Sequence, residues 1–258
     1  MKQIDLNADI GEADNPEWAK SEAQIVTAIS SANIACGGHA GDADSMHLTV
    51  ANCKAGGVVI GAHPAYPDRK NFGRRSLTLG EDITKRVLKD SLIRQISTLA
   101  EIAAKQGMAI TYVKPHGALY NDAVKDAQKS ELIADVIYTL DPKLTWLGGP
   151  NSEMLKAAKP RGLNFVAEGF IDRRYSDDGH LLPRSQTGAV IKDQAQRLAQ
   201  ARALASTGEV ETSSGNKLNI NARSLCVHGD SAGAVQTARA ARKAIESIGI
   251  KIAAFAPA

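Results

Sequence analysis

The chain lacks the features that would tie it to oxidising, membrane or nucleic-acid surroundings. Its three cysteines, Cys36, Cys53 and Cys226, are odd in number and show no CxxC spacing. That argues against a disulfide framework and for a reducing, cytoplasmic setting. No apolar run approaches the roughly 18 residues of a membrane span. The opening MKQIDLNADIGE has no long apolar core, so a signal peptide is not expected. There is no Lys/Arg block, and 31 basic residues against 28 acidic ones leave a formal charge of only +3. Neither nucleic acid nor an anionic membrane surface is therefore an expected partner. Local chemical fingerprints are missing too: there is no GxxxxGK[ST] phosphate loop, no GxGxxG and no HExxH. Any active site must be assembled from separate segments.

What is present is an ordinary globular composition, 43% hydrophobic and 23% charged over 258 residues. Short β-like runs alternate with helix-like ones. The strands are expected at 4–9, 31–36, 57–62, 109–114, 144–148, 163–169, 223–229 and 250–255. Between them lie helical patterns such as ADSMHLTVANCKAG and the long EDITKRVLKDSLIRQISTLAEIAAKQG. Regular alternation of this kind predicts parallel strands with crossover helices. Seven or eight units in about 250 residues predict an α/β fold, a closed (β/α) barrel forming one domain over residues 1–258. An open doubly wound sheet is the runner-up. Two long segments, 64–80 and 169–191, interrupt the rhythm, and long loops in compact domains tend to be functional. Residues 207–220 read as an inserted hairpin.

Five of the six histidines, His39, His63, His116, His180 and His228, sit in Gly-, Asp- or Pro-rich loops, most of them where an apolar run has just ended. His47 alone falls in a helical pattern. Strand parity sharpens the set. Alternate side chains face opposite ways, so Asp5, Asn7 and Asp9 share one face, as do Lys114 with His116 and Cys226 with His228 and Asp230. A barrel turns one parity inward, and polar residues of that parity at the C-terminal strand ends form a polar mouth, where barrel enzymes place their catalytic groups.

The candidates follow. Asp9 and Glu12 in NADIGE could position a cation or act as base. His39 and Asp42 lie in CGGHAGD, where Asp42 could equally be a helix cap. His63 precedes Pro64. Lys114 and His116 in VKPHGALYN are hard to explain as packing; near a cleft the lysine could hold a carboxylate or have its pKa lowered for base work. His228 ends a strand. These eight form the expected catalytic set. Asn7, Glu168, Arg173, Arg174 and Asp230 form the expected substrate-binding set, the arginines as candidate anion clamps. Cys226 reads as a buried strand residue rather than a nucleophile.

Six motifs, DLNADIGE, SANIACGGHAGD, GAHPAYPD, VKPHGALYN, EGFIDRRYSDDGHLLPRSQTGAVI and CVHGDSAGAV, run in order from about residue 3 to 255. Together they resemble the LamB/YcsF family, the A components of 5-oxoprolinases. The resemblance implies a (β/α) barrel of the glycoside hydrolase/deacetylase type. It implies opening of the lactam of 5-oxo-L-proline to L-glutamate coupled to ATP hydrolysis, with subunits B and C as partners. ATP, with or without Mg2+, would bind either here or on a partner, and no metal is specified. Two alternatives are a metal-dependent deacetylase of an N-acyl sugar and a non-catalytic substrate-binding subunit.

Overall fold

The computed structural model describes residues 2–228 and 233–256, with His228 described by its backbone alone. Seven parallel strands close on themselves: β1 (Gln3–Ile10), β2 (Ser31–Ala35), β3 (Val59–His63), β4 (Ile110–Val113), β5 (Thr145–Gly148), β6 (Phe165–Phe170) and, after a small hairpin of β7 (Glu209–Glu211) and β8 (Lys217–Asn219), β9 (Ser224–His228). Each pairs with the next, and β9 returns to β1 with Asp5 opposite Ser224 and Asp9 opposite His228. The (β/α) barrel expected from the alternation is the fold observed.

The helices are α1 (Pro16–Ile25), α2 (Ala43–Gly56), α3 (Lys85–Lys105), α4 (Gly117–Lys125), α5 (Ala127–Leu140), α6 (Glu153–Ala158), α7 (Gln194–Ser206) and α8 (Ala234–Glu246). Six begin at a side chain that accepts a backbone N–H of the first turn: Asn15, Asp42, Thr84, Asp126, Ser152 and Asp193. Such caps satisfy donors that the helix itself cannot. The outward strand parity, including Leu6, Ile10, Ile34, Ile60, Val113 and Trp146, packs under helix residues such as Leu88, Leu92, Ile96 and Leu99 of α3. This outer shell is the main apolar core.

The eighth expected strand does not join the barrel. Only β10 (Lys251–Ile252) forms, pairing with the first residues of β1. The chain then turns beneath the cylinder, where Ala254, Phe255 and Ala256 pack on Val59, Tyr112, Leu147 and Val166. An apolar plug thus fills the N-terminal end of the barrel. Helix α4 is a further departure: its sequence GALYNDAVK follows the Pro115–His116 turn so closely that it reads as loop.

Above the plug the barrel interior is polar and layered. Asp5 accepts from the hydroxyls of Ser30 (2.7 Å), Ser31 (2.6 Å) and Ser224. Asn7 donates to Ser224 Oγ (2.7 Å) and Glu168 Oε1 (3.0 Å). Asn33 donates to Asn7 Oδ1 (2.6 Å) and Asp9 Oδ1 (2.7 Å), and accepts from Tyr112 Oη (2.8 Å). Buried polar groups are tolerable only when paired in this way.

Tyr112 reaches Asn33 because the neighbouring strand carries Gly61, where an added Cβ would lie 2.3 Å from the tyrosine ring. Gly61→Ala is therefore expected to lower stability by about 1–3 kcal/mol, the usual cost of overpacking, read by chemical denaturation. A variant as stable as wild type would show that the ring has room to move. Burial raises the Asp5 carboxyl from 3.8 to about 6, despite three hydroxyl donors that oppose the shift. Folding then takes up a proton between those values, so stability present in acid is lost as pH rises through that window. Asp5→Asn should remove that slope, worth about 3 kcal/mol, when unfolding is measured from about pH 4 to about pH 7. A stability difference that does not vary with pH would show that Asp5 does not titrate there.

Candidate active site

The loops leaving the C-terminal ends of β1, β2, β3 and β4 bring Glu12, His39, His63 and His116 together, and all four are buried. Each offers a nitrogen or oxygen atom, and these atoms lie within 4.8 Å of one another. His39 Nε2 stands 2.8 Å from Glu12 Oε1. The rings of His39 and His116 stack with centroids 3.5 Å apart, and His63 meets His116 edge-on at 4.9 Å. Burial, then the neighbouring histidines, hold His39 and His116 well below the usual histidine range, so both are neutral near pH 7.

Backbone carbonyls fix how two of these rings carry their protons. His63 Nδ1 lies 2.7 Å from the Lys114 carbonyl, and His116 Nε2 lies 3.0 Å from the Phe72 carbonyl. A carbonyl only accepts, so each of these nitrogens bears the hydrogen. That leaves His63 Nε2 and His116 Nδ1 without the hydrogens so committed, and they face each other at 3.0 Å.

The floor of the mouth is a charge cluster. Lys114 Nζ lies 2.8 Å from both Asp9 Oδ1 and Glu168 Oε1, 3.4 Å from Asn7 Oδ1 and 3.2 Å from Cys226 Sγ. Burial works against its charge, but Asp9, Cys226 and Glu168 outweigh it and hold the ammonium well above the usual lysine range. The expectation of a lysine lowered for base work is therefore corrected. Lys114 is a fixed cation whose protons point at barrel groups. Cys226 is buried and its thiol is pushed far up by desolvation, which opposes thiolate formation. Asp9 Oδ2 lies 3.5 Å from His63 Nε2.

The two long loops complete the walls. Segment 64–80 folds over the histidines. Phe72, at a left-handed φ of 53°, supplies the carbonyl for His116 and sets its ring edge-on to His39 and His116, at 5.1 and 5.5 Å. Gly73 follows at φ 61°, where a Cβ would lie 2.9 Å from His39 Cβ and 3.1 Å from His116 Cδ2. Segment 169–191 brings Arg173 and His180 to the wall. A cavity of about 600 Å3 results, lined among others by Asp9, Glu12, His63, Lys114, His116, Tyr120, Glu168, Phe170, Arg173, His180 and Arg184. Arg173 is buried, its Nη2 donates to the Leu182 carbonyl at 2.5 Å, and its Nε has no hydrogen-bond partner among the described residues. Burial, then Arg184, lower it to about 10. A guanidinium in that state suits an anionic ligand group.

Most of the expected residues thus converge, but not all. Asp42 is exposed and caps α2, accepting from Ser45 N at 2.8 Å in a capping box. Its carboxylate serves the helix, which corrects its place in the catalytic set. Arg174 donates to Gln196 of α7 at 3.0 Å and does not line the cavity, since one residue after inward Arg173 the chain faces the other way. Asn7 lies below the mouth, holding Glu168 rather than facing ligand. His47 is exposed on α2. His228 lies in β9, in register with Asp9, with its side chain outside the described residues; Asp230 lies outside them altogether. So does most of GDSAG (229–233), which spells the GxSxG of a serine nucleophile elbow. Sequence reading passed over Phe72, Tyr120, Arg184 and Glu22. Glu22 accepts the amide N–H groups of Gly11 (3.0 Å) and Glu12 (2.9 Å) and so fixes the turn that carries Glu12. An acid eleven residues downstream, inside a helix, gives no local signal of that.

Comparison with known proteins identifies the family and the fold. The LamB/YcsF family model matches residues 4–258. The A component of a 5-oxoprolinase from Agrobacterium fabrum is 43% identical over 256 residues, covering 99% of both chains. The crystal structure of a lactam utilization protein from Thermus thermophilus superposes with a TM-score of 0.89 at 34% identity, over 98% of this chain and 100% of that one. A putative cellobiose-phosphate cleavage protein from Enterococcus faecalis, 10% identical over 98% of this chain and 97% of its own, shares the fold at a TM-score of 0.59. With the motifs, the barrel and a full-length family match in agreement, the chain belongs to the LamB/YcsF family.

Proposed function

We propose that this chain is the lactam-cleaving component of a multi-subunit 5-oxoprolinase, which opens 5-oxo-L-proline to L-glutamate coupled to ATP hydrolysis together with subunits B and C. The observation that carries it is the meeting of Asp9, His63, His116 and buried Arg173 on one cavity of about 600 Å3. The full-length likeness to the A component of a 5-oxoprolinase and to a lactam utilization protein supports the substrate class.

The reaction adds water across an amide bond. The water oxygen bonds to the carbonyl carbon, the ring C–N bond breaks, and a water proton ends on the released nitrogen. That requires a group to take the proton, a cation to hold the substrate's free carboxylate, and a more electrophilic carbonyl. Asp9, in the cavity wall with its Oδ2 3.5 Å from His63 Nε2, stands for the first task. Arg173 serves the second. The third is the part ATP plays: phosphorylation of the lactam oxygen, with ADP displaced, makes the carbon a better target for water, and the acyl phosphate left by ring opening is cleaved by a second water to glutamate and inorganic phosphate. This chain has no phosphate loop of the GxxxxGK[ST] kind, so in this proposal the partner subunits hold the nucleotide.

Reconstituted with its partner subunits, the wild-type chain should release glutamate from 5-oxo-L-proline in step with ATP consumption. Asp9→Asn should lower kcat by at least about 100-fold. Arg173→Met should act mainly on KM, raising it by about 10- to 100-fold for the loss of a charged hydrogen-bonding partner. Asp42→Ala and His47→Ala should match wild type. A wild-type rate from Asp9→Asn would reject the site, and acetate release from an N-acetylated sugar by the chain alone would move the assignment to a deacetylase.

A further inference from the structure

We propose that Glu12, His39, His63 and His116 form a binding site for one divalent transition-metal ion of the zinc class, at the wall of the cavity where the lactam is placed. The strongest ground is the pair of bare nitrogens. The hydrogens of His63 and His116 are committed to the carbonyls of Lys114 and Phe72. The remaining nitrogen of each ring then faces the other across 3.0 Å. Lone pairs at that distance repel unless something positive lies between or beside them. A proton could do so, but the arrangement does not stop at two nitrogens. Glu12 Oε1 lies 3.5 Å from His116 Nδ1 and 2.8 Å from His39 Nε2. Donor atoms bound tetrahedrally at about 2.0–2.1 Å stand about 3.3 Å apart along each edge; the edges of 2.8, 3.0 and 3.5 Å lie near that, all four atoms lie within 4.8 Å, and one of the stacked His39 and His116 rings must tilt to aim its lone pair at the ion.

A second, independent observation is that His39 Nδ1 is buried without a hydrogen-bond partner among the described residues. A buried bare nitrogen carries a cost. With nothing held at Nδ1, the ring hydrogen can move there when Nε2 takes an ion, giving up only the hydrogen bond to Glu12. The surroundings are built to hold ligands still. The Lys114 and Phe72 carbonyls orient two imidazoles as outer partners do in metal sites, and Glu22 pins the Glu12 backbone. Phe72 and the stacked rings exclude solvent on one side, while Glu12, His63 and His116 line the cavity on the other. Imidazole with a single carboxylate favours zinc-class ions over Ca2+ or Mg2+, which prefer all-oxygen shells.

The role is stated for the lactam reading and rests on it. An ion held by all four residues would take the carbonyl or the attacking water as a fifth ligand, polarising the one or lowering the pKa of the other. The full-length chain, stripped with a chelator and dialysed, should bind Co2+ at one ion per chain with the intense visible bands of a four-coordinate site. Zn2+ should displace it and raise the melting temperature. His63→Gln/His116→Gln should weaken Co2+ binding by at least about 100-fold, since even outer-partner losses cost 10–100-fold. His180→Ala should bind like wild type. Thermal unfolding of the double variant without metal establishes that it folds; if it does not, Glu12→Gln is read the same way. Absence of one-to-one Co2+ and Zn2+ binding, or unchanged binding by a folded ligand variant, overturns the site. Metal binding without glutamate release in the reconstituted complex would overturn the lactam reading alone, and release unaffected by chelation would overturn the catalytic role of the metal.

Discussion

The structure depends on one buried cation. Lys114 enters the barrel from β4 and meets carboxylates from β1 and β6, Asp9 and Glu168, each at 2.8 Å. Taking any of these charges out of water costs several kcal/mol, and only close pairing offsets it. Remove the ammonium and two carboxylates remain around one empty point in a low-dielectric interior, a loss of about 3–5 kcal/mol when a buried pair is broken. The whole cylinder is arranged around that constraint. Asn7 and Asn33 bridge between the acids, and Tyr112 reaches across to Asn33 over a glycine that gives it room.

The same residue organises the mouth. Through its side chain Lys114 takes one oxygen of Asp9; through its backbone carbonyl it takes the hydrogen of His63. Charge state on one side and tautomer on the other are set by a single position on the strand. This explains why polar residues of inward parity tolerate burial: every layer is answered by the next, from the Asp5 serine cluster up to the histidines. The apolar plug of Phe255 and its neighbours fills the other end, and the cavity lies at the C-terminal rim.

Much of this was legible in the sequence because it depends on period. Alternation of strands and helices predicted the barrel. Parity put Asp9, Lys114 and Cys226 on one face, and they meet. What was not legible depends on distance rather than pattern. Asp42 has the sequence context of a ligand, but Ser45 three residues on takes it as a helix cap. Lys114 reads as a depressed base or an anion holder until Glu168, fifty-four positions away, is known to face it. Adjacent Arg173 and Arg174 look alike in sequence, and only the loop's path sends one inward and the other to α7. The eighth strand failed for a like reason: the barrel was already closed by β9 meeting β1, so the last apolar run served as a plug.

These particulars bear on how catalytic power is divided along the chain. A lysine whose protons are all directed at fixed partners changes little during a reaction; its value is that it does not need to move. Preorganised charge of that sort contributes by sparing reorganisation. The groups able to change state are those one layer higher, where Asp9 Oδ2 and the bare nitrogens of His63 and His116 border the cavity. A rigid, neutralised floor beneath a reactive rim is what a barrel with inward polar parity can build, and it places the chemistry at the one level where the interior charge is not already spent.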